Sequence, residues 1–192
     1  MESKVCFTLF KFMSFVLIWA SIETHLLQKS IGLIEKALED PRRVLWLADK
    51  CSHERSKRAT GSSDLASDLL GEERRVAADC KRKLESSLLQ TKTLLAQLKS
   101  SRDELLAIIK RESLSLSLTT ESTFCAHAML DPGQFPIADS LHKVQSIARA
   151  QRDSNIALIA HCKNVLSHIK QSTESAVGSA IKAERSHQVG NV

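Results

Sequence analysis

A long run of apolar residues at helical spacing, between Asp64 and Glu112, constrains this chain more than any other feature of its sequence. These residues recur at steps of three, four or seven, as on the buried seam of a coiled-coil helix: Leu70, Ala77, Leu84, Leu88, Leu95, Leu98, Leu105 and Ile109. Less apolar residues fill the intervening seam positions: Glu73, Cys80, Thr91 and Arg102. The step 80–84–88 is four plus four and indicates a stutter in the heptad.

Such a helix cannot bury its seam alone. About 48 residues at 1.5 Å each make a helix of about 70 Å, which needs an antiparallel helix of the same chain or partner chains. A second helix of similar length is predicted from about Ala138 to His187, with polar Gln151, Asn155 and Ser172 in its seam. Its apolar seam residues are Leu141, Val144, Ala148, Leu158, Cys162, Val165, Ile169 and Ala176. The segment Asp131–Pro136 holds Pro, Gly and Pro, which favours a hairpin turn between the two helices.

The composition agrees with long helices. Of 192 residues only 6 are Gly and 3 are Pro, aromatic residues make up 4%, and Tyr is absent. Few helix breakers favour helices, and few aromatic residues argue against a β-sandwich, a barrel or a doubly wound sheet. We therefore predict an all-α fold, an elongated long-helix hairpin or coiled-coil rod.

The remaining segments complete the predicted organisation. Residues 1–22 form an apolar N-terminal segment, 23–58 short helices, 64–130 the long helix and a connector, 131–137 the turn, and 138–187 the second long helix. Asp40-Pro41 predicts a helix boundary, with Pro41 as the first residue of the following helix. Leu114, Leu116 and Leu118 alternate with polar residues, and we interpret them as a helix continuation or a loosened connector rather than a strand.

The N-terminal segment leaves several interpretations open. Val5–Ile22 is apolar with one charge, Lys11, and lies near the lower length limit of a membrane span. It also fits a signal peptide, an apolar helix that packs on partners, or an atypical start. No second apolar stretch follows, which excludes a multi-span protein.

Charge and motifs exclude most chemical functions. The net charge of +5 is modest and is typical of solvated helix faces. Basic residues lack the aromatic neighbours of a nucleic-acid site, so no nucleic-acid partner is predicted. The five cysteines, at 6, 51, 80, 125 and 162, form no CxxC and are typical of single thiols in a reducing compartment. Phosphate-binding, metalloprotease and nucleophile-elbow motifs are absent, so we predict no enzyme activity, no cofactor and no metal site.

Two stretches carry a resemblance to a known family. The sequence Leu47-Ala-Asp-Lys-Cys51-Ser-His-Glu54-Arg55-Ser-Lys-Arg58, followed by Asp64-Leu65-Ala-Ser-Asp68, resembles a succession of residues in the tektins. The positions that match are Cys51, Arg55, Arg58, Asp64, Leu65 and Asp68, and Arg152 lies in a later stretch of similar character. Ser52 replaces a leucine of the tektin pattern, Glu54-Arg55 inverts its order, and the tektin nonapeptide signature is absent. The resemblance covers roughly Glu23–Arg185 and implies a divergent or truncated tektin-like protein that retains only the first half.

The resemblance implies a structural protein of ciliary and flagellar axonemes, inside the lumen of doublet microtubules, in sperm or other cilia. The implied partners are other tektin-like chains and tubulin. The seam positions expected to contact a partner helix are Leu70, Ala77, Leu84, Leu88, Leu95, Leu98, Leu105, Leu158, Val165 and Ile169. Two alternatives stay open: a coiled-coil tether attached to a membrane through residues 5–22, and a secreted helical bundle.

Overall fold

The chain is all-α, as predicted, in every part that the structure describes. The computed structural model describes the backbone of residues 2–56, 65–119 and 135–189, and the side chains of 13–54, 68–111, 140–176 and 178–179. Within these ranges every residue except Leu38 lies in an α-helix.

Four helices account for these residues: α1 Glu2–Ala37, α2 Glu39–Ser56, α3 Leu65–Thr119 and α4 Phe135–Val189. The apolar N-terminal segment is continuous with the predicted helix that follows it, so α1 has 36 residues. Helix α3 continues through Leu114, Leu116 and Leu118, which therefore extend the helix instead of forming a strand. Most of the predicted turn, residues 131–134, lies outside the described residues, and α4 begins at Phe135.

The break between α1 and α2 lies at Leu38, three residues before the predicted boundary at Pro41. Proline has no N–H, so Pro41 cannot donate the α-helical hydrogen bond to the carbonyl of Ala37. The flanking bonds survive: Leu38 N donates to Ile34 O at 2.9 Å, and Arg42 N donates to Leu38 O at 3.3 Å. Proline therefore interrupts the turn that precedes it, and lies inside the first turn of α2 rather than at its first position.

The described helices form two compact units. Unit 1 contains Met1–Gly32 and Leu89–Ser154, and unit 2 contains Leu33–Leu88 and Asn155–Val192. The buried cluster of unit 1 is drawn from α1, α3 and α4: Met13, Ala20, Leu27, Leu98, Leu105, Ile109, Leu141 and Ala148. That of unit 2 consists of Ile34, Ala37, Leu38, Ala77, Cys80, Leu84, Cys162 and Leu166.

The buried positions of α3 follow the heptad more regularly than predicted. Ser87, not Leu88, is the more deeply buried residue after Leu84, so the steps 80–84–87–91 are four, three and four. The predicted stutter is therefore absent, and Leu88 packs beside the seam as a half-buried residue. The sequence pattern favoured Leu88 because it is apolar, whereas the structure places a serine at the buried position.

Candidate interaction surface and buried polar sites

The predicted seam residues of unit 1 lie inside its core. Leu98 and Leu105 are almost completely buried, and Leu95 packs against them as a half-buried residue. Burying each leucine contributes roughly 1.5–3 kcal/mol. This part of the seam is therefore used by helices of the same chain, one of the two arrangements that the sequence left open.

The predicted seam residues of unit 2 divide into two groups. Ala77 and Leu84 are fully buried, and Leu88 and Leu158 pack against their cluster. The other three are half-buried: Leu70, Val165 and Ile169. The prediction that seam residues also contact another chain stays a prediction.

The tektin-like motif residues are only partly described. Cys51 and Asp68 are exposed, and Cys51 is a free thiol. The side chains of Arg55 and Leu65 lie outside the described residues, as do Arg58 and Asp64 altogether. Of the motif residues whose side chains are described, Arg152 is the one that takes part in a buried site.

Arg152 of α4 binds Glu23 of α1 inside unit 1. Its Nε donates to Glu23 Oε1 at 2.7 Å and its Nη2 to Oε2 at 3.4 Å. The Glu23 side chain is 4% exposed and that of Arg152 is 23% exposed. Arg149, one turn away, adds a weaker ion pair between its Nε and Glu23 Oε2 at 3.6 Å. A buried carboxylate is stable only when it is paired, so these two arginines hold Glu23 in the apolar core.

The same site extends to the surface through aromatic rings. The Arg149 guanidinium carbon lies 5.4 Å from the centroid of the Trp19 ring, within cation–π range. Trp19 meets Phe15 edge to face, with 5.8 Å between ring centroids. Charge and aromatic contacts thus join one face of α1 to α4.

Helix α1 also presents an exposed apolar stripe, consisting of Phe15, Ile18, Trp19 and Ile22. These side chains are 57%, 58%, 41% and 46% exposed, respectively. Their steps of three, one and three place them on one helix face, separate from the buried residues Met13, Ala20 and Leu27. Isolated exposed apolar residues are ordinary, but a contiguous stripe marks an interaction surface. We refer to it as the α1 stripe.

Unit 2 has a more ordinary polar surface between α2 and α3. Arg74 Nε lies 3.0 Å from Asp49 Oδ1, and Arg42 Nη2 lies 3.6 Å from Glu85 Oε1. These groups are exposed, and pairs of this kind contribute about 0–1 kcal/mol. They link the exposed faces of α2 and α3.

Inside unit 2, two polar layers interrupt the apolar core. Ser87 Oγ donates a hydrogen bond to Asn155 Oδ1, and both side chains are buried. Cys80 and Cys162 are also buried, and both belong to the same cluster of unit 2. Burial, and after it the interaction with the neighbouring Cys80 thiol, raises the pKa of Cys162 to about 12. At neutral pH the Cys162 thiol is therefore protonated.

Across the described ranges, no three histidine, cysteine or acidic side chains are grouped closely enough to hold a metal ion. In the same ranges, no helix combines the length and the apolar character that crossing a membrane requires.

Sequence reasoning missed most of the polar residues in these sites. Glu23 and Ser87 were not singled out, because a charged or small polar residue carries no sign of burial in a sequence. Arg152 and Asn155 were noted, but for family resemblance and seam position rather than for a bond. The α1 stripe was hidden within a segment that is apolar on all sides.

Comparison with known proteins adds no family assignment. No protein-family model matches the chain, and no curated protein is significantly similar to it. The tektin resemblance therefore stays a prediction.

Proposed function

We propose that this chain is a structural, non-enzymatic protein that binds helices of neighbouring chains through the α1 stripe, in a tektin-like filament of the ciliary or flagellar axoneme. The proposed neighbours are other tektin-like chains, with tubulin of doublet microtubules beyond them. The α1 stripe is the observation that carries the proposal. The order of motif residues from Cys51 to Asp68 supports the tektin-like part.

The spacing of the α1 stripe favours a helix as its partner. Phe15, Trp19 and Ile22 are separated by four and three residues, and half-buried Leu26 continues the same spacing. A seam of this kind accepts the side chains of a facing helix between its own. Helix α1 would then have two seams, one buried inside unit 1 and one that receives the partner.

The first test is self-association of the purified chain, measured by sedimentation velocity. Ile18→Glu together with Ile22→Glu places two charges in the stripe without touching a buried residue, and we expect these changes to abolish assembly. The matched control is Leu89→Glu, which changes an equally apolar residue that is 68% exposed on α3 of the same unit. Equal loss of assembly in both variants, or no loss in either, would contradict the proposal.

The second test is localisation of a tagged chain in ciliated cells. We expect detergent-resistant signal along axonemes, and loss of that signal in the Ile18→Glu, Ile22→Glu variant. Point changes are preferable to deletion of residues 1–22, because deletion would remove Met13 and Ala20 from the core of unit 1. Signal on internal membranes or in the medium would instead favour the membrane tether or the secreted bundle.

A lipid control separates the partner classes. Flotation with vesicles of phosphatidylcholine and phosphatidylserine tests whether the same stripe enters a bilayer surface, as amphipathic helices do. Our proposal predicts no flotation of the folded chain. Flotation that Ile18→Glu and Ile22→Glu abolish would overturn the assignment of the stripe to a helical partner.

A further inference from the structure

Cys80 and Cys162 bring two thiols together in the core of unit 2. Cys80 lies on α3 and Cys162 on α4, and they are 3% and 2% exposed. Both belong to the same buried cluster. Cys80 lies seven residues before Ser87 on α3, and Cys162 lies seven residues after Asn155 on α4, and Ser87 and Asn155 are hydrogen-bonded to each other. Because α3 and α4 run antiparallel, these positions place Cys80 opposite Cys162, one heptad along from the Ser87–Asn155 contact, in the arrangement from which a disulfide forms with the least backbone movement.

We propose that Cys80 and Cys162 form a disulfide that covalently links α3 to α4 when the chain meets a small-molecule disulfide such as oxidised glutathione. The sulfur atoms must approach to about 2.05 Å. Side-chain rotation can supply much of that movement, because the two residues already face each other across one layer. The disulfide would close a loop of chain that runs from Cys80 to Cys162. A long closed loop strongly restricts the conformations of the unfolded chain.

The exchange balances without any further reactant. The thiolate of one cysteine attacks a sulfur of oxidised glutathione, which forms a mixed disulfide and releases one glutathione thiolate. The thiolate of the other cysteine then displaces the second glutathione. The two cysteines are oxidised, one glutathione disulfide is reduced to two thiols, and the two cysteine protons end on those thiols.

The environment of the pair makes this exchange slow. The reactive species is the thiolate, and burial raises the pKa of Cys162 above its ordinary value of 9.0. Glutathione also cannot reach a buried sulfur until unit 2 opens. The pair therefore remains reduced in a reducing compartment and is oxidised only by prolonged exposure, whereas exposed Cys51 reacts first.

The test uses the full chain with Cys6, Cys51 and Cys125 changed to serine, so that only the two thiols remain. The variant is equilibrated with reduced and oxidised glutathione, free thiols are alkylated, and disulfide is quantified by mass spectrometry. We expect the effective concentration of one thiol at the other to be at least about tenfold higher in native buffer than in concentrated urea. Equal or lower values in native buffer would overturn the proposal, because the fold would then not favour the bond.

Two controls keep this result specific. Cys80→Ser with Lys81→Cys moves the α3 thiol by one position on the helix, and we expect no gain in native buffer. An equal increase of the effective concentration in that variant would show that the bond does not depend on the position of Cys80, and it would refute the proposal. In the unmodified chain, peptide mapping after prolonged exposure to oxidised glutathione is expected to recover a Cys80–Cys162 crosslink, and a prevailing crosslink of Cys80 or Cys162 to any other cysteine would contradict it. Circular dichroism verifies that each variant is as helical as the unmodified chain.

Discussion

Replacing Arg152 by methionine is expected to destabilise unit 1 more than replacing Glu23 by glutamine, although both changes break the same ion pair. The reason is unequal burial, since Glu23 is 4% exposed and Arg152 is 23% exposed. Arg152→Met leaves a carboxylate in the core with only Arg149 at 3.6 Å. Glu23→Gln leaves a guanidinium that solvent partly reaches.

The expected magnitudes follow from this difference. Removing one partner of a buried pair costs about 3–5 kcal/mol. Because Glu23 keeps its contact with Arg149, we expect Arg152→Met to cost about 3 kcal/mol, at the lower end of this range. Glu23→Gln keeps the volume and loses a charge-assisted bond, so we expect about 1.5 kcal/mol. The double variant should cost less than the sum by at least about 1 kcal/mol, because neither charge is then left alone.

The chain offers a probe that reports on unit 1. It has 2 tryptophans, and Trp46→Phe leaves only Trp19, whose ring lies 5.4 Å from the Arg149 guanidinium carbon. Urea unfolding followed by Trp19 fluorescence then gives the free energy of each variant without ionic screening by the denaturant. Arg149→Met is the matched control, because its side chain is 49% exposed and should cost at most about 1 kcal/mol. Equal costs for Arg152→Met and Arg149→Met, or additive costs in the double variant, would refute the account of a desolvated pair.

Three further predictions concern single core positions. Leu84→Ala should lower the free energy of unfolding in urea by about 2–5 kcal/mol. Leu89→Ala, which changes an exposed leucine on the same helix, should change that free energy by at most about 0.5 kcal/mol. Equal losses in the two variants would contradict the assignment of the seam. Gln145→Leu should raise the unfolding free energy by about 1 kcal/mol, since the buried Nε2 has no hydrogen-bond partner among the described residues; a loss of stability would indicate a partner elsewhere. The pKa of Cys162 is raised from 9.0 to about 12, so between these values the folded chain keeps a proton that the unfolded chain releases. The contribution of the Cys162 thiol to stability is therefore complete below pH 9 and is lost as the pH rises towards about 12. The alkaline fall of the urea midpoint should be smaller in Cys162→Ala, and an equal fall would refute the shift.

The helices of this chain are predictable from sequence because their seams repeat. Leu84, Leu98 and Leu105 were expected on one face of one helix, and each is buried there. Glycine and proline are so few that little else competes with helix. The helix break was predicted at Pro41 but lies at Leu38, three residues earlier. A proline in a sequence indicates that a helix is interrupted nearby, but it does not indicate which neighbouring turn is interrupted.

The N-terminal helix was harder to interpret for a physical reason. Its apolar residues cover both the buried positions, such as Ala20 and Leu27, and the exposed positions, such as Ile18 and Ile22. A helix that is apolar around most of its circumference has little periodicity. Membrane span, signal peptide and packed helix therefore produce similar sequences, and only the observed burial separates the two faces.

Buried polar residues escape prediction because their stability depends on a partner distant in sequence. Glu23 and Arg152 are 129 positions apart, and Ser87 and Asn155 are 68 apart. Nothing local to either residue indicates the contact. Composition and periodicity predict where a helix has an apolar seam, but not which polar residue is tolerated within it.

These polar contacts are best explained as devices that fix helix register. A seam of leucine and alanine packs almost as well after a slip of seven residues, but such a slip would bring Glu23 opposite Gln145 or Ile159 instead of Arg152. In unit 2 the same slip would bring Asn155 opposite Cys80 or Leu94 instead of Ser87. Each displaced polar group would be buried without its partner, at a cost of about 1–3 kcal/mol or more.

An ion pair that fixes register can be removed without loss of stability, whereas one that only stabilises the fold cannot. Changing Glu23 and Arg152 together to leucine removes both charges and keeps the core apolar, so we expect helicity and unfolding free energy to be retained or increased. Register should suffer instead: spin labels at His25 on α1 and Asp153 on α4, both exposed, should give one distance in the parent chain and several in the variant. A single unchanged distance in the variant would show that the apolar seam alone determines register, and the buried ion pair would then need another explanation.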